Sequence, residues 1–219
     1  MGARNVVRYN TIWGNRDTAE YDGNGIEVDR WCDDNEVYYN VIYGNDGAGI
    51  IVFNGARNRV FNNTVFGNGL DSGKTHAGRV EIAVVGDEGA TLEGNVVRNN
   101  VAVATAPGAV ALKVKAAAAR GQQLGSNLFF NSAGGAVYDW AGKKGSDAAE
   151  WNARAGARPA DLFADPRFAD PATLPDGLRL AAGSPAIARG ERLGLARDRA
   201  GRPLPADRPP SLGAYETAP

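Results

Sequence analysis

Glu27 and Asp29 stand at alternate positions of Gly25-Ile26-Glu27-Val28-Asp29, with Arg30 next, and Glu81 occupies a later segment of similar form, Arg79-Val80-Glu81-Ile82-Ala83. A third such segment, Ala109-Val110-Ala111-Leu112-Lys113, brings a cation. Carboxylates and cations on a shared strand face suit two reactions. Carboxyls ~6.5 to 9.5 Å apart serve an inverting glycosidase as acid and base. In β-elimination a base removes the proton beside a uronate carboxylate, while a cation or metal neutralises that carboxylate. Arg30, Arg79, Lys113 and Lys115 are on or beside this face and favour elimination over hydrolysis. Glu27 with Asp29 could hold calcium through oxygen ligands, although no cofactor is required by either reading.

Two insertions enter the same face. Gly69 to Arg79 carries Lys74 and His76, and His76 is the only side chain in the protein with an unperturbed pKa near neutrality. A lone loop histidine is, however, more often exposed and inert. The other insertion, from Asn15, offers Glu20, Tyr21 and Asp22 as a groove wall, in keeping with the tendency of function to sit on loops raised over a rigid scaffold. Ile51 and Phe53 are expected to face outward between the charged rows, where sugar rings would cover them. Glu27, Asp29, Glu81 and Lys113 are thus the candidate catalytic groups, and Arg30, Ile51, Phe53, Lys74, His76 and Arg79 the candidate substrate contacts. The competing reading is a solvated strand face that pairs charges and discourages aggregation.

The elements that position these residues come from a repeat. "NVVRYNTIWGN" from Asn5, "NEVYYNVIYGN" from Asn35 and "NRVFNNTVFGN" from Asn58 are one pattern, with weaker copies "ATLEGNVVRNN" from Ala90 and "QLGSNLFFNS" from Gln123. Taking Asn10, Asn40, Asn63, Asn95 and Asn127 as anchors aligns Val7, Val37, Val60, Leu92 and Leu124, then Ile12, Ile42, Val65, Val97 and Phe129. A second alternating strand follows each copy, placing Ile26/Val28, Ile50/Val52, Val80/Ile82, Val110/Leu112 and Ala136/Tyr138 inward. None of the crossovers has room for the helix that a doubly wound sheet needs. The expected fold is therefore all-β: a right-handed parallel β-helix of about five rungs over residues 1–140. With rungs ~4.8 Å apart, Glu27 and Glu81 would have backbones ~9.6 Å apart.

The anchor asparagines and the later set Asn15, Asn45, Asn68 and Asn100 are read as structural, stacking in hydrogen-bonded ladders. The outward aromatics Trp13, Tyr43, Phe66 and Phe130 either cover neighbouring rungs or form a sugar-stacking stripe. A glycan on Asn62, in "NNT", would need an export route. Over residues 141–219 the sequence predicts a short helix in "GSDAAEWNARAG", capped by Ser146 or Asp147, then an extended segment that closes the last rung of the same domain. Disorder is the other reading of this tail, but Leu162, Phe163, Phe168, Leu178, Leu180, Ile187 and Tyr215 argue against it.

At 219 residues and 43% hydrophobic content the chain can build a real core. Its 24 basic and 25 acidic residues leave no basic surface for nucleic acid. One Cys and one His exclude an internal disulfide and the usual zinc clusters. No segment approaches the ~20 apolar residues of a membrane span, and no export signal is visible. Because a repeat strand begins at Asn5, the first rung is expected to be covered by preceding sequence or by a partner, the former favoured.

The pattern "N-x-V-x-x-N-x-[IV]-x-G-N" followed by "G-I-x-V" resembles the bacterial β-helix repeat proteins of the pectate lyase-like superfamily. The closing "ADPRFAD … LRLAAGSPAIARG … DRAGRP … LGAYE" is similar to the C-terminal segment of secreted members. The resemblance implies an extracellular or periplasmic polysaccharide substrate, often a uronic acid polymer, cleaved by a lyase or hydrolase, sometimes with calcium. It equally admits a non-catalytic glycan-binding or structural module of a larger surface protein. The polygalacturonase segments "NTD", "GHG" and "RIK" are missing, and Arg202-Pro203 lies in the tail rather than on a rung. No catalytic residue is therefore carried over by motif.

Overall fold

The computed structural model describes residues 2–18, 22–71, 77–90, 92–115, 118 and 120–217. Short strands stack into three sheets. The first sheet runs β1 (Val6–Arg8), β4 (Glu36–Tyr38), β7 (Arg59–Phe61), β10 (Val96–Arg98) and β13 (Gln123–Gly125). The second runs β2 (Thr11–Trp13), β5 (Val41–Tyr43), β8 (Thr64–Phe66), β11 (Val101–Ala104), β14 (Leu128–Asn131) and β17 (Leu162–Phe163). The third runs β3 (Ile26–Val28), β6 (Ile50–Phe53), β9 (Val80–Val85), β12 (Val110–Val114), β15 (Tyr138–Trp140) and β16 (Lys143–Gly145). Every pairing between successive rungs is parallel; only β16 turns back antiparallel on β15.

Each rung bends where the backbone takes left-handed angles. Tyr9, Tyr39, Asn62 and Asn99 do so at φ 52° to 60°, immediately before a ladder asparagine. Three ladders result. Asn5, Asn35, Asn58 and Asn95 form one; Asn10, Asn40, Asn63, Asn100 and Asn127 form the second; Asn15, Asn45 and Asn68 form the third. In each, a backbone N–H donates to the Oδ1 of the asparagine one rung later, and in most steps Nδ2 donates to the same oxygen. A buried carboxamide that both accepts and donates leaves few polar atoms unsatisfied at these bends.

The fourth rung lies in a different register from the sequence alignment. Val97, not Leu92, joins the Val60 column, and Ala102 takes the place expected for Val97 beside Val65. Asn95 belongs to the first ladder and Asn100 to the second. The bend asparagines recur five residues apart, so shifting the frame by one ladder still lays Asn on Asn and apolar on apolar. The third sheet departs too: Ile50 pairs with Ile82 and Val52 with Val84, two residues beyond the expected partners.

Inside, the columns of Val, Ile and Leu make one continuous core, which ends in aromatic rings. The helix α1 (Ala148–Ala155) closes the last rung, its N-terminus capped by Asp147, whose carboxylate accepts the Glu150 N–H. From it, Trp151 packs edge-on against Trp140 at 5.4 Å and tilted on Tyr138 at 5.1 Å. Beyond, the tail lies along the outside of the second sheet, where Ala186 and Leu212 join Val101, Val103 and Leu128, and Leu178, Ala214 and Tyr215 join Val41. It reaches the first rung, where Arg199 donates to the Asn10 carbonyl at 2.7 Å and to the Thr11 hydroxyl.

Candidate functional site

The outward row of the third sheet is Glu27, Ile51, Ala83, Lys113 and Asp139, not the row containing Glu81. Glu27 and Lys113 are three rungs apart on it, a backbone separation of ~14 Å. Between them the face is sealed. Ile51 and Phe53, expected as exposed sugar contacts, are buried in a cluster with Ala48, Ala77, Val80, Ala83 and Val85. Ala77, near the end of the insertion after Gly69, packs into this cluster and covers the sheet at that point. Lys74 and His76, with Glu20 and Tyr21 of the other insertion, lie outside the described residues.

Glu81 is 0% exposed and ends the third asparagine ladder. Its Oε1 accepts the Asn68 N–H at 2.9 Å and its Oε2 accepts Asn68 Nδ2 at 2.7 Å. Burial pushes its pKa up to about 8, outweighing the Asn68 donors that favour the charged form. A carboxyl so enclosed cannot reach a substrate. Asp161 does the same for the second ladder, accepting from the Asn127 N–H and Nδ2 while its other oxygen accepts the Trp151 indole N–H at 2.8 Å; burial raises it to about 6. Glu81, 13 residues after Asn68, thus takes the place in the third ladder that the sequence reading gave to Asn100, which belongs to the second ladder instead.

The other predicted residues are also tied into the scaffold. Lys113 Nζ donates to the Ala77 carbonyl at 2.8 Å, and burial lowers its pKa while Asp139 opposes the shift. Arg79 donates to the carbonyls of Leu70, Asp71 and Pro107. Glu27 accepts from Asn24 Nδ2 at 2.8 Å. Asp29 accepts the Arg30 N–H at 2.7 Å and so shapes the turn after β3. Among the described residues, no cluster of three or more His, Cys, Asp or Glu side chains could hold a metal ion, and no helix is long and apolar enough to cross a membrane.

That turn opens onto the feature the sequence reading missed. A groove of about 740 Å³ runs across the turns following β3, β6 and β9, lined by Arg30, Trp31, Asp33, Asn54, Asp87, Glu88, Gly89 and Ala90. Trp31 is held at φ 58° and is 85% exposed. Around it the polar groups are fixed. Asn54 and Asp87 bond reciprocally, Asn54 Nδ2 to Asp87 Oδ2 at 2.9 Å and the Asp87 N–H to Asn54 Oδ1 at 2.8 Å. Arg30 pairs with Asp87 at 3.1 Å and lies over the Phe53 ring at 4.9 Å. The Asn54 bond, then the Arg30 and Lys115 charges, lower the Asp87 pKa. At the groove's edge Arg57 holds Asp33 and Asp34, at 3.1 and 2.8 Å. Among the described residues predicted for the site, only Arg30 lines this groove. The available signal was a large apolar residue in "DRWCDD", a polar turn where strand alternation has already ended.

The groove unites a rigid aromatic face with acceptors and donors at set positions, and three acids to a single, already paired arginine make it net acidic. Residues 1–101, which contain every groove-lining residue, match the family model described as right handed beta helix region. No curated protein matches the chain.

Proposed function

Starting from the premise that the chain is a right-handed parallel β-helix, we propose that it is a glycan-binding protein whose turn groove holds a neutral polysaccharide segment against Trp31. The observation that carries this reading is Trp31 itself, an 85% exposed indole beside fixed polar groups. Leaving so large an apolar surface in water is costly, and an aromatic face suits the C–H face of a sugar ring. Asp33, Asn54, Asp87 and Glu88 line the same groove and supply acceptors for sugar hydroxyls. A uronate polymer fits poorly, because its carboxylates would meet an acidic groove whose arginine is already paired. Cleavage is not part of the proposal: Glu81 is enclosed, and Lys113 is engaged by a carbonyl far along the row from Glu27.

Equilibrium binding to neutral glucan, xylan and galactan oligosaccharides, alongside polygalacturonate and alginate, tests this. Saturable binding to a neutral chain, weakened roughly thirtyfold by Trp31→Ala, is expected; this equals about 2 kcal/mol for a central aromatic contact. Unchanged affinity in the variant, or tighter binding to polyuronates, would overturn the proposal. Release of unsaturated product from pectate or alginate would restore the elimination reading in its place.

A further inference from the structure

The Arg30–Asp87 pair in the groove is only half used, and its unused half has a definite chemistry. Asn54 Nδ2 and the Arg30 guanidinium donate to the same Asp87 oxygen, Oδ2, at 2.9 and 3.1 Å. Among the described residues nothing donates to Asp87 Oδ1, and the Nε and Nη1 groups of Arg30 have no acceptor. Both side chains face water, Asp87 at 56% and Arg30 at 47% exposure. A charged acceptor therefore stands beside charged donors, the two joined by one bond that leaves both available.

Three successive rungs hold this arrangement in place. Asn54, left-handed at φ 52° after β6, and Asp87, after β9, exchange bonds between side chain and backbone. Gly86 makes the exchange possible, because a Cβ there would fall 2.6 Å from Asn54 Oδ1. From the turn after β3, Arg30 reaches across and rests on the Phe53 ring at 4.9 Å. An exposed ion pair adds little to stability, so folding alone gives no reason for a left-handed asparagine and a close-packed glycine to fix this one.

We infer that Arg30 and Asp87 clamp the two hydroxyls of a vicinal diol, so that the groove takes 1,4-linked glycan chains in preference to 1,3-linked ones. The inference rests on the glycan reading above and adds the linkage to it. A ligand carboxylate would satisfy Arg30 and repel Asp87, and an ammonium would do the reverse. A hydroxyl both donates and accepts. With two adjacent hydroxyls, one donates to Asp87 Oδ1 while its neighbour accepts from Arg30, and the bonds to Oδ2 stay intact. In a 1,4-linked glucan or xylan every internal ring keeps O2 and O3 free. In a 1,3-linked glucan O3 is spent in the linkage, and no internal ring retains two adjacent hydroxyls.

Calorimetric titration of the full chain with cellohexaose, which is 1,4-linked, and laminarihexaose, which is 1,3-linked, tests the clamp. The wild type is expected to bind cellohexaose roughly tenfold more tightly, the worth of about one hydrogen bond to a charged group. In Asp87→Ala the ratio of the two affinities is expected to fall toward one. Arg30→Met, which removes the donors and leaves Asp87 held by Asn54, is expected to do the same. Urea unfolding reports that each variant is folded. A preference that survives both substitutions belongs to chain shape and overturns the clamp. Equal affinities in the wild type, with Trp31→Ala still weakening both, overturn the clamp and leave the glycan reading standing. If no neutral chain binds at all, that reading fails and the clamp fails with it.

Discussion

Glu81 and Asp87 lie on one strand, β9, and the turn that follows it, yet one acid is sealed and the other displayed. Burial raises Glu81 and leaves it as the terminus of a ladder. Asp87, exposed and held by Asn54 and Arg30, stays charged at the rim of a groove. Within one rung, then, the strand builds and the turn presents. A carboxylate's place in the alternation says little about which of these it does, because the bend asparagines can draw a strand residue out of its alternating position.

Replacing each member of the pair sharpens that contrast. Glu81→Ala leaves the Asn68 N–H and Nδ2 buried without acceptors and opens a void, so a loss of about 3 kcal/mol in urea unfolding is expected at pH 6. Equal stability would mean that the ladder does not need its terminus. The same group has a pH signature. Between about 4.5 and about 8 the folded protein keeps the Glu81 proton while the unfolded chain releases it. Its contribution is therefore complete below about pH 4.5 and is lost as pH rises through about 8. Against Glu81→Gln, which cannot ionise, the wild type should lose ground steadily across that window in denaturation series; parallel curves would contradict the burial of its charge. Trp31→Ala, in the displayed region, should weaken glycan binding by the roughly thirtyfold given above and change stability by no more than about 0.5 kcal/mol. Smallest of all, Asp87→Asn should shift stability by under about 0.5 kcal/mol, as expected for an exposed pair. A large destabilisation there would erase the distinction between the two acids.

How far these roles were legible follows from what period and spacing encode. The columns Val7, Val37, Val60 and Ile12, Ile42, Val65 were readable because three rungs repeat the same eleven residues. The Asp147 cap and α1 were readable from local chemistry. Rung four was not, since a five-residue slip satisfies the same pattern. Ile51 and Phe53 were read as exposed because alternation gives the side of a sheet but not what lies over it. Trp31 escaped notice because a turn has no period to mark which of its residues faces water.

The tail that crosses the second sheet has a consequence for how the molecule comes apart. Stacked coils that touch only their neighbours can fray from an end, one unit at a time. Here Glu191 pairs with Arg98 at 2.5 Å, the Gly213 N–H donates to Asn99, Ala214 to the Thr64 hydroxyl, and Arg199 to Asn10, so a single strap spans rungs one to four. No rung can open without loosening the strap, and the strap cannot lift without freeing several rungs. Such a chain is expected to melt as one cooperative unit, with matching calorimetric and van't Hoff enthalpies, where an unstrapped stack would unravel in stages.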